Sequence, residues 1–81
     1  MRIDRFLNAV NITKSRSITE DMCKSSVISI NGTIAKASKE IKIGDIINIK
    51  YQKYDKNYQI LSIPSTKTTP KSLQSQFVKE L

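Results

Sequence analysis

Residues 27–35 read VISINGTIA, two β-branched runs divided by Asn31-Gly32. A two-residue connection between twisted antiparallel strands works best when both central residues take positive φ. Asn and Gly tolerate that conformation and β-branched residues do not. The chain is therefore expected to double back at 31–32. Ile28 and Ile30 then share one face of the hairpin, and Val27 and Ser29 the other. A lone hairpin is at best marginal in water, so the remaining chain must cover that isoleucine face.

Two helices are expected upstream. In residues 1–11, MRIDRFLNAVN, Ile3, Phe6, Leu7 and Val10 recur at i, i+3, i+4 and i+7, one apolar helical stripe. Arg2, Asp4, Arg5 and Asn8 take the other side. Residues 11–14 form a turn. The second helix covers RSITEDMCKS, residues 16–25, with Ile18 and Met22 facing inward and Cys23 beside them. Either Ser15 is its N-cap, or Ser17 and Glu20 form a capping box.

Downstream, ASKEIKI (37–43) connects to a turn at Gly44-Asp45, and IINIKY (46–51) reads as a strand. QKYDKN is a polar turn, YQILSI (58–63) the next strand, and Pro64 ends it. PSTKTTP (64–70) has linker composition. Thr69 is placed to cap a last helix with Pro70 at its first position, and Leu73, Phe77 and Leu81 follow at intervals of four.

With 81 residues, of which 38% are hydrophobic, there is material for one core and not for two. The fold class is α+β: two N-terminal helices packed on a small, mostly antiparallel sheet of four or five short strands, with a C-terminal tail helix. The expected core joins Ile3, Phe6, Leu7, Val10, Ile18, Met22, Ile28, Ile30, Ile47 and Ile49. Residues 1–63 form the folded domain, and 64–81 the linker and a short amphipathic helix.

Fourteen Lys and Arg face seven Asp and Glu, a net charge of +7. Such an excess favours a polyanionic partner. Membrane spanning is not expected, because the apolar-rich stretch at 44–51 is broken by Asp45, Asn48 and Lys50. The single cysteine, Cys23, allows no internal disulfide and fits a reducing compartment, the cytoplasm. Histidine is absent, acids are scattered, and no Gly-rich phosphate loop or metal-ligand cluster occurs. No enzymatic activity, cofactor or metal is expected.

The basic excess is spread along the chain, so spacing has to locate a site. Arg2 and Arg5 are i, i+3 neighbours off the apolar stripe. Lys14 and Arg16 stand where the second helix begins, among the hydroxyls of Ser15 and Ser17. Free backbone N–H groups and the positive end of the helix dipole favour a phosphate there. Acids suit a helix start better than cations, so basic residues at this point argue for an anionic ligand. Arg16 has a second candidate partner inside the protein, Asp4. Lys36 and Lys39, after the hairpin, extend the patch. Phe6 lies on the core stripe, and the sequence shows no base-stacking platform of the kind single-strand binders use.

RIDRFL, KSRS, SVISING and IKIGDIINI, in that order over residues 1–51, resemble the RNA-binding domain named for the fourth protein of the small ribosomal subunit, the alpha-L RNA-binding motif. Two positions depart from its pattern: Ser26 replaces the glycine that ends the second helix, and Lys36-Ala37 replaces a frequent Lys-Pro. The resemblance implies non-catalytic binding of structured RNA, rRNA or tRNA, by the two-helix face and hairpin. Arg2, Arg5, Lys14, Arg16 and Ser17 would carry it, with Lys36 and Lys39 behind them. The likeness is to small stand-alone bacterial members, including a heat-shock ribosome-associated type and a ribosome-quality-control type. A monomer acting at the large ribosomal subunit is expected. The alternative is a protein-interaction module in which Leu73, Phe77 and Leu81 meet a protein partner.

Overall fold

In the structure, a computed structural model describing residues 1–65 and 69–81, Asn31 and Gly32 have φ of 51° and 84°. Both are positive, as the Asn-Gly pair requires. They join β1 (Ile28–Ile30) to β2 (Thr33–Ile34), with Ser29 opposite Ile34 and Ile30 opposite Thr33. Asn31 also fastens the next strand. Its side-chain oxygen accepts the Ile46 N–H at 3.0 Å, and its amide donates to Asp45 at 3.2 Å.

β3 (Ile46–Lys50) pairs with β1 on one side and β4 (Asp55–Ile60) on the other. The sheet order is β2-β1-β3-β4-β5, antiparallel throughout, where β5 is Val78–Glu80. The registers Ile28↔Ile49, Ile30↔Ile47, Ile47↔Tyr58 and Ile60↔Val78 align one apolar face. Every residue of that row is buried. The other face carries Ser29, Asn48 and Asn57, and the Asn48 amide donates to Asn57 at 2.9 Å. β4 begins at Asp55, three residues before the strand expected from hydrophobicity, because Asp55 and Asn57 occupy that solvent side. Their polarity imitates a turn.

α1 (Ile3–Ala9) and α2 (Arg16–Lys24) are the two expected helices. Ile3, Phe6, Leu7 and Val10 are fully buried, as their spacing predicts. Phe6 is the largest of them, and truncating it to alanine is expected to cost about 3–5 kcal/mol. α2 differs from expectation. Ile18 is 41% exposed, Met22 is half-buried, and Thr19 with Cys23 faces the core. Burial of Thr19 is tolerated because its hydroxyl meets that of Thr13 at 2.7 Å. The cap of α2 is Ser15, whose hydroxyl accepts the Ile18 N–H at 3.2 Å. Ser17 therefore lies inside the helix.

Both helices end the same way. Ile12 N–H donates to Leu7 and Asn11 N–H to Asn8; Val27 N–H donates to Met22 and Ser26 N–H to Cys23. These paired reverse bonds are Schellman motifs, with Asn11 (φ 64°) and Ser26 (φ 61°) in the left-handed position. Serine stands there without the conformational freedom of glycine.

The tail is where expectation and structure part most. Residues 66–68, within the stretch read as a linker, lie outside the described residues. Thr69 does not cap a helix of its own. Its hydroxyl and its N–H both reach the Ala9 carbonyl, at 2.9 Å each, and its own carbonyl accepts Asn11 Nδ2 at 2.6 Å. Gln74 donates to the Val10 carbonyl at 2.7 Å. The tail thereby satisfies carbonyls at the end of α1. α3 (Gln74–Phe77) is a single turn after a 3-10 turn at Lys71–Leu73, and the chain then extends into β5. Leu73, Phe77 and Leu81 thus share no helical face. Leu73 and Leu81 are exposed, while Phe77 packs against the core.

Replacing Ser26 by glycine removes the side-chain penalty of the left-handed position, less the extra entropy glycine has when unfolded. Ser26→Gly is expected to stabilise the protein by about 0.5–1 kcal/mol, read as a higher urea midpoint with unchanged slope.

Candidate nucleic-acid interface

The loop at residues 36–40 closes over the start of α1. Ile3 N–H donates to the Lys39 carbonyl at 2.8 Å and Asp4 N–H to the Ala37 carbonyl at 3.2 Å. Arg5 N–H donates to the Asp4 carboxylate at 2.7 Å. The first amides of α1 are therefore consumed within the protein. At α2 the situation is reversed. Ser15 takes the Ile18 amide with its side chain and the Thr19 amide with its carbonyl, while the Arg16 and Ser17 amides have no protein acceptor among the described residues. Two backbone donors at the positive end of a nine-residue helix thus have no acceptor among the described residues.

Asp4 organises the cations around that point. It has no exposed surface, and its Oδ2 lies 3.2 Å from Arg2 and 3.3 Å from Arg16. The two arginine side chains are about half exposed, 47% and 49%. Each guanidinium thus has one edge committed to the carboxylate and other N–H groups in solvent. The pair anticipated between Arg16 and Asp4 forms, and Arg2 joins it. The buried Thr13–Thr19 hydroxyl contact holds the intervening segment so that Lys14, Arg16 and Ser17 stay outside.

An open groove of roughly 420 Å³ runs between α2 and the 36–40 loop, lined by Arg2, Glu20, Cys23, Lys24 and residues 36–38. Three cations, Arg2, Lys24 and Lys36, face one acid, Glu20. Burial, then the Asp4 and Glu20 carboxylates, push the Cys23 thiol above its ordinary range. It lines the groove as a neutral group and not as a nucleophile. A second groove of roughly 670 Å³ lies under the hairpin and contains Lys36, Lys39 and Lys42. Its two acids are already engaged: Glu40 by the Met1 ammonium at 2.8 Å, Asp45 by Asn31 and the Lys42 N–H. The three lysines have no acidic partner among the described residues.

Of the residues anticipated from sequence, Arg2 shares Asp4 with Arg16 and the first groove with Lys36, and Lys39 joins Lys36 in the second groove. Arg5, Lys14, Arg16 and Ser17 are exposed but line neither groove. Sequence reasoning passes over Lys24 and Lys42. Lys24 follows Arg16 and Glu20 at i+4 steps, one ridge of α2, which is a legible signal. Lys42 has none, because only the loop fold brings it beside Lys36.

Two helices layered on an antiparallel sheet, with cations gathered where the second helix begins, define an α+β module with a surface suited to polyanions. The chain belongs to the S4-domain family, whose model matches residues 1–47. An RQC P-site tRNA stabilizing factor from Helicobacter pylori (strain ATCC 700392 / 26695) is 46% identical over 71 residues, covering 88% of this chain and 84% of that protein. Among solved structures, the trimeric structure of Vibrio cholerae Heat Shock Protein 15 superposes with a TM-score of 0.89 at 27% identity, covering 100% of this chain and 81% of that one. The solution structure of a hypothetical protein superposes at 0.87 with 41% identity, covering 100% and 96%.

The two arginines are interchangeable as partners of Asp4 but not jointly dispensable. Arg2→Ala or Arg16→Ala alone leaves the carboxylate one guanidinium. The double variant leaves a buried charge with only a backbone donor. Its stability loss is expected to exceed the sum of the singles by about 1–3 kcal/mol. Adding Asp4→Asn to the double variant is expected to restore much of it in denaturant titrations.

Proposed function

We propose that this protein binds structured RNA, both ribosomal RNA and tRNA, at the large ribosomal subunit during translation or ribosome quality control. The contacts come from the cationic face of α1, α2 and the 36–40 loop. One observation carries the reading: a buried carboxylate fixes two half-exposed arginines, one of them opening α2, whose first two amides have no acceptor among the described residues. A phosphate placed there meets charge, planar guanidinium donors and N–H groups in one position, with little side-chain entropy left to lose. S4-domain membership, and the name RQC P-site tRNA stabilizing factor borne by a 46% identical relative, support RNA of the ribosome and tRNA as the partners.

The role is holding, not catalysis. Arg2, Arg5, Lys14, Arg16 and Ser17 form the primary contact set. Lys24 and Lys36 extend it along the first groove, and Lys39 and Lys42 along the second. A-form RNA is recognised by such a surface through shape and backbone more than through base edges. The protein acts as a monomer in the bacterial cytoplasm, bracing a tRNA against the subunit.

Binding through phosphates must weaken as salt rises. Lys14→Ala with Arg16→Ala is expected to reduce affinity for tRNA or purified large subunits at least tenfold at physiological salt, while circular dichroism and the urea midpoint stay close to the parent's. The slope of log affinity against log salt is expected to flatten by about two. Unchanged affinity and slope in the same titration would overturn the assignment of this face.

A further inference from the structure

The sequence places Tyr51 at the end of a strand and Tyr54 in the polar turn that follows, where nothing marks them as a pair. The structure brings their rings together, 5.0 Å between centroids at 29°, at the tip of the β3–β4 connection. Tyr51 N–H donates to the Tyr54 carbonyl at 2.8 Å, closing the loop beneath the rings. Tyr51 is half-buried against the core, whereas Tyr54 is 56% exposed. A tight turn is ordinarily built from Gly, Asn, Asp or Ser. Here the chain instead displays an aromatic ring held against a second ring that the core anchors.

The surroundings are cationic. Lys50 and Lys53, next to Tyr51 and Tyr54 in the chain, are exposed and have no acidic partner among the described residues. The Lys56 ammonium lies over the Tyr54 ring, 6.0 Å from its centroid, and is tethered to Glu80 at 3.4 Å, so an incoming base would share or take its place on the ring. Asp55 faces Lys50 across the strand pair without an ion pair. The tip also adjoins the end of α2: Lys50 N–H donates to the carbonyl of Val27, three residues beyond Lys24 of the first groove.

We infer that Tyr54, backed by Tyr51, is a stacking platform for an unpaired nucleobase, with Lys50 and Lys53 taking the flanking phosphates. An exposed, pre-positioned aromatic face beside free ammonium groups matches the two parts of a nucleotide, a flat π surface and a phosphate. This deepens the RNA-binding reading and rests on it. It adds a preference for RNA that presents a base outside a helix, which the arginine corner alone does not provide. The assignment departs from the expectation of no stacking platform, which considered Phe6 in the core and not the Tyr51–Tyr54 pair.

Two RNA hairpins test it, identical except that one carries a single 2-aminopurine bulge. The wild-type protein is expected to bind the bulged hairpin about tenfold more tightly and to quench its fluorescence on binding. Tyr54→Leu is expected to lose both the preference and the quenching while keeping its affinity for the fully paired hairpin. Tyr54→Trp is expected to keep both. If wild type binds the two hairpins equally, or if Tyr54→Leu preserves the preference and quenching, the stacking site is overturned and phosphate binding stands. If wild type binds neither hairpin at physiological salt, nor tRNA in a parallel titration, the RNA-binding reading itself falls.

Discussion

A carboxylate with no exposed surface, Asp4, holds two helices, a loop and two arginines of this molecule together. In its first-turn position it accepts the Arg5 N–H, while its own N–H bonds to the Ala37 carbonyl. Its second oxygen lies between Arg2, just before α1, and Arg16, the first residue of α2. The 36–40 loop, α1 and α2 therefore meet at one side chain. A charge placed there without partners would cost several kcal/mol. With two guanidiniums and an amide it becomes a joint, and the arginines it restrains are those presented to solvent.

The joint has a consequence for how the face is built. Cations at the start of a helix oppose its dipole, so Arg16 at the first position of α2 is locally unfavourable. Asp4 offsets that from the neighbouring helix and leaves the α2 amides unoccupied. Had an acid stood at position 16 or 17, the helix would gain locally and the amides would have an internal acceptor. The sequence gives up a local gain and leaves open the amides that the proposed phosphate contact would use.

Much of the fold is written in local patterns. Asn31-Gly32 marks the hairpin, the Ile3, Phe6, Leu7 and Val10 stripe marks α1, and Ser15 marks the start of α2, because each rests on chemistry within a few residues. What escapes is what depends on distant partners. Thr19 is buried and Ile18 exposed because Thr13 supplies a hydroxyl. Val78–Glu80 is a strand because β4 offers an edge, not because its three residues insist on one. The spacing of Leu73, Phe77 and Leu81 imitates a helix across a stretch that changes from helix to strand at Val78. The site divides in the same way. Arg2 stands out by its spacing to Arg5, Arg16 by its hydroxyl neighbours at a helix start and Lys36 by following the hairpin, whereas Lys42 and the Tyr51–Tyr54 pair exist as features only after the loops close.

The central claim is that RNA meets the protein at the Asp4-centred corner, and amide-resolved NMR asks that directly. On titrating tRNA into isotopically labelled protein at physiological salt, the account predicts that the earliest and largest perturbations fall on the Arg16 and Ser17 amides, then on Arg2 and the 36–39 loop. The amides of α3 and β5 should stay near their free positions. Perturbations concentrated on α3, β5 and the Ser29–Asn48–Asn57 face, with Arg16 and Ser17 unmoved, would contradict it.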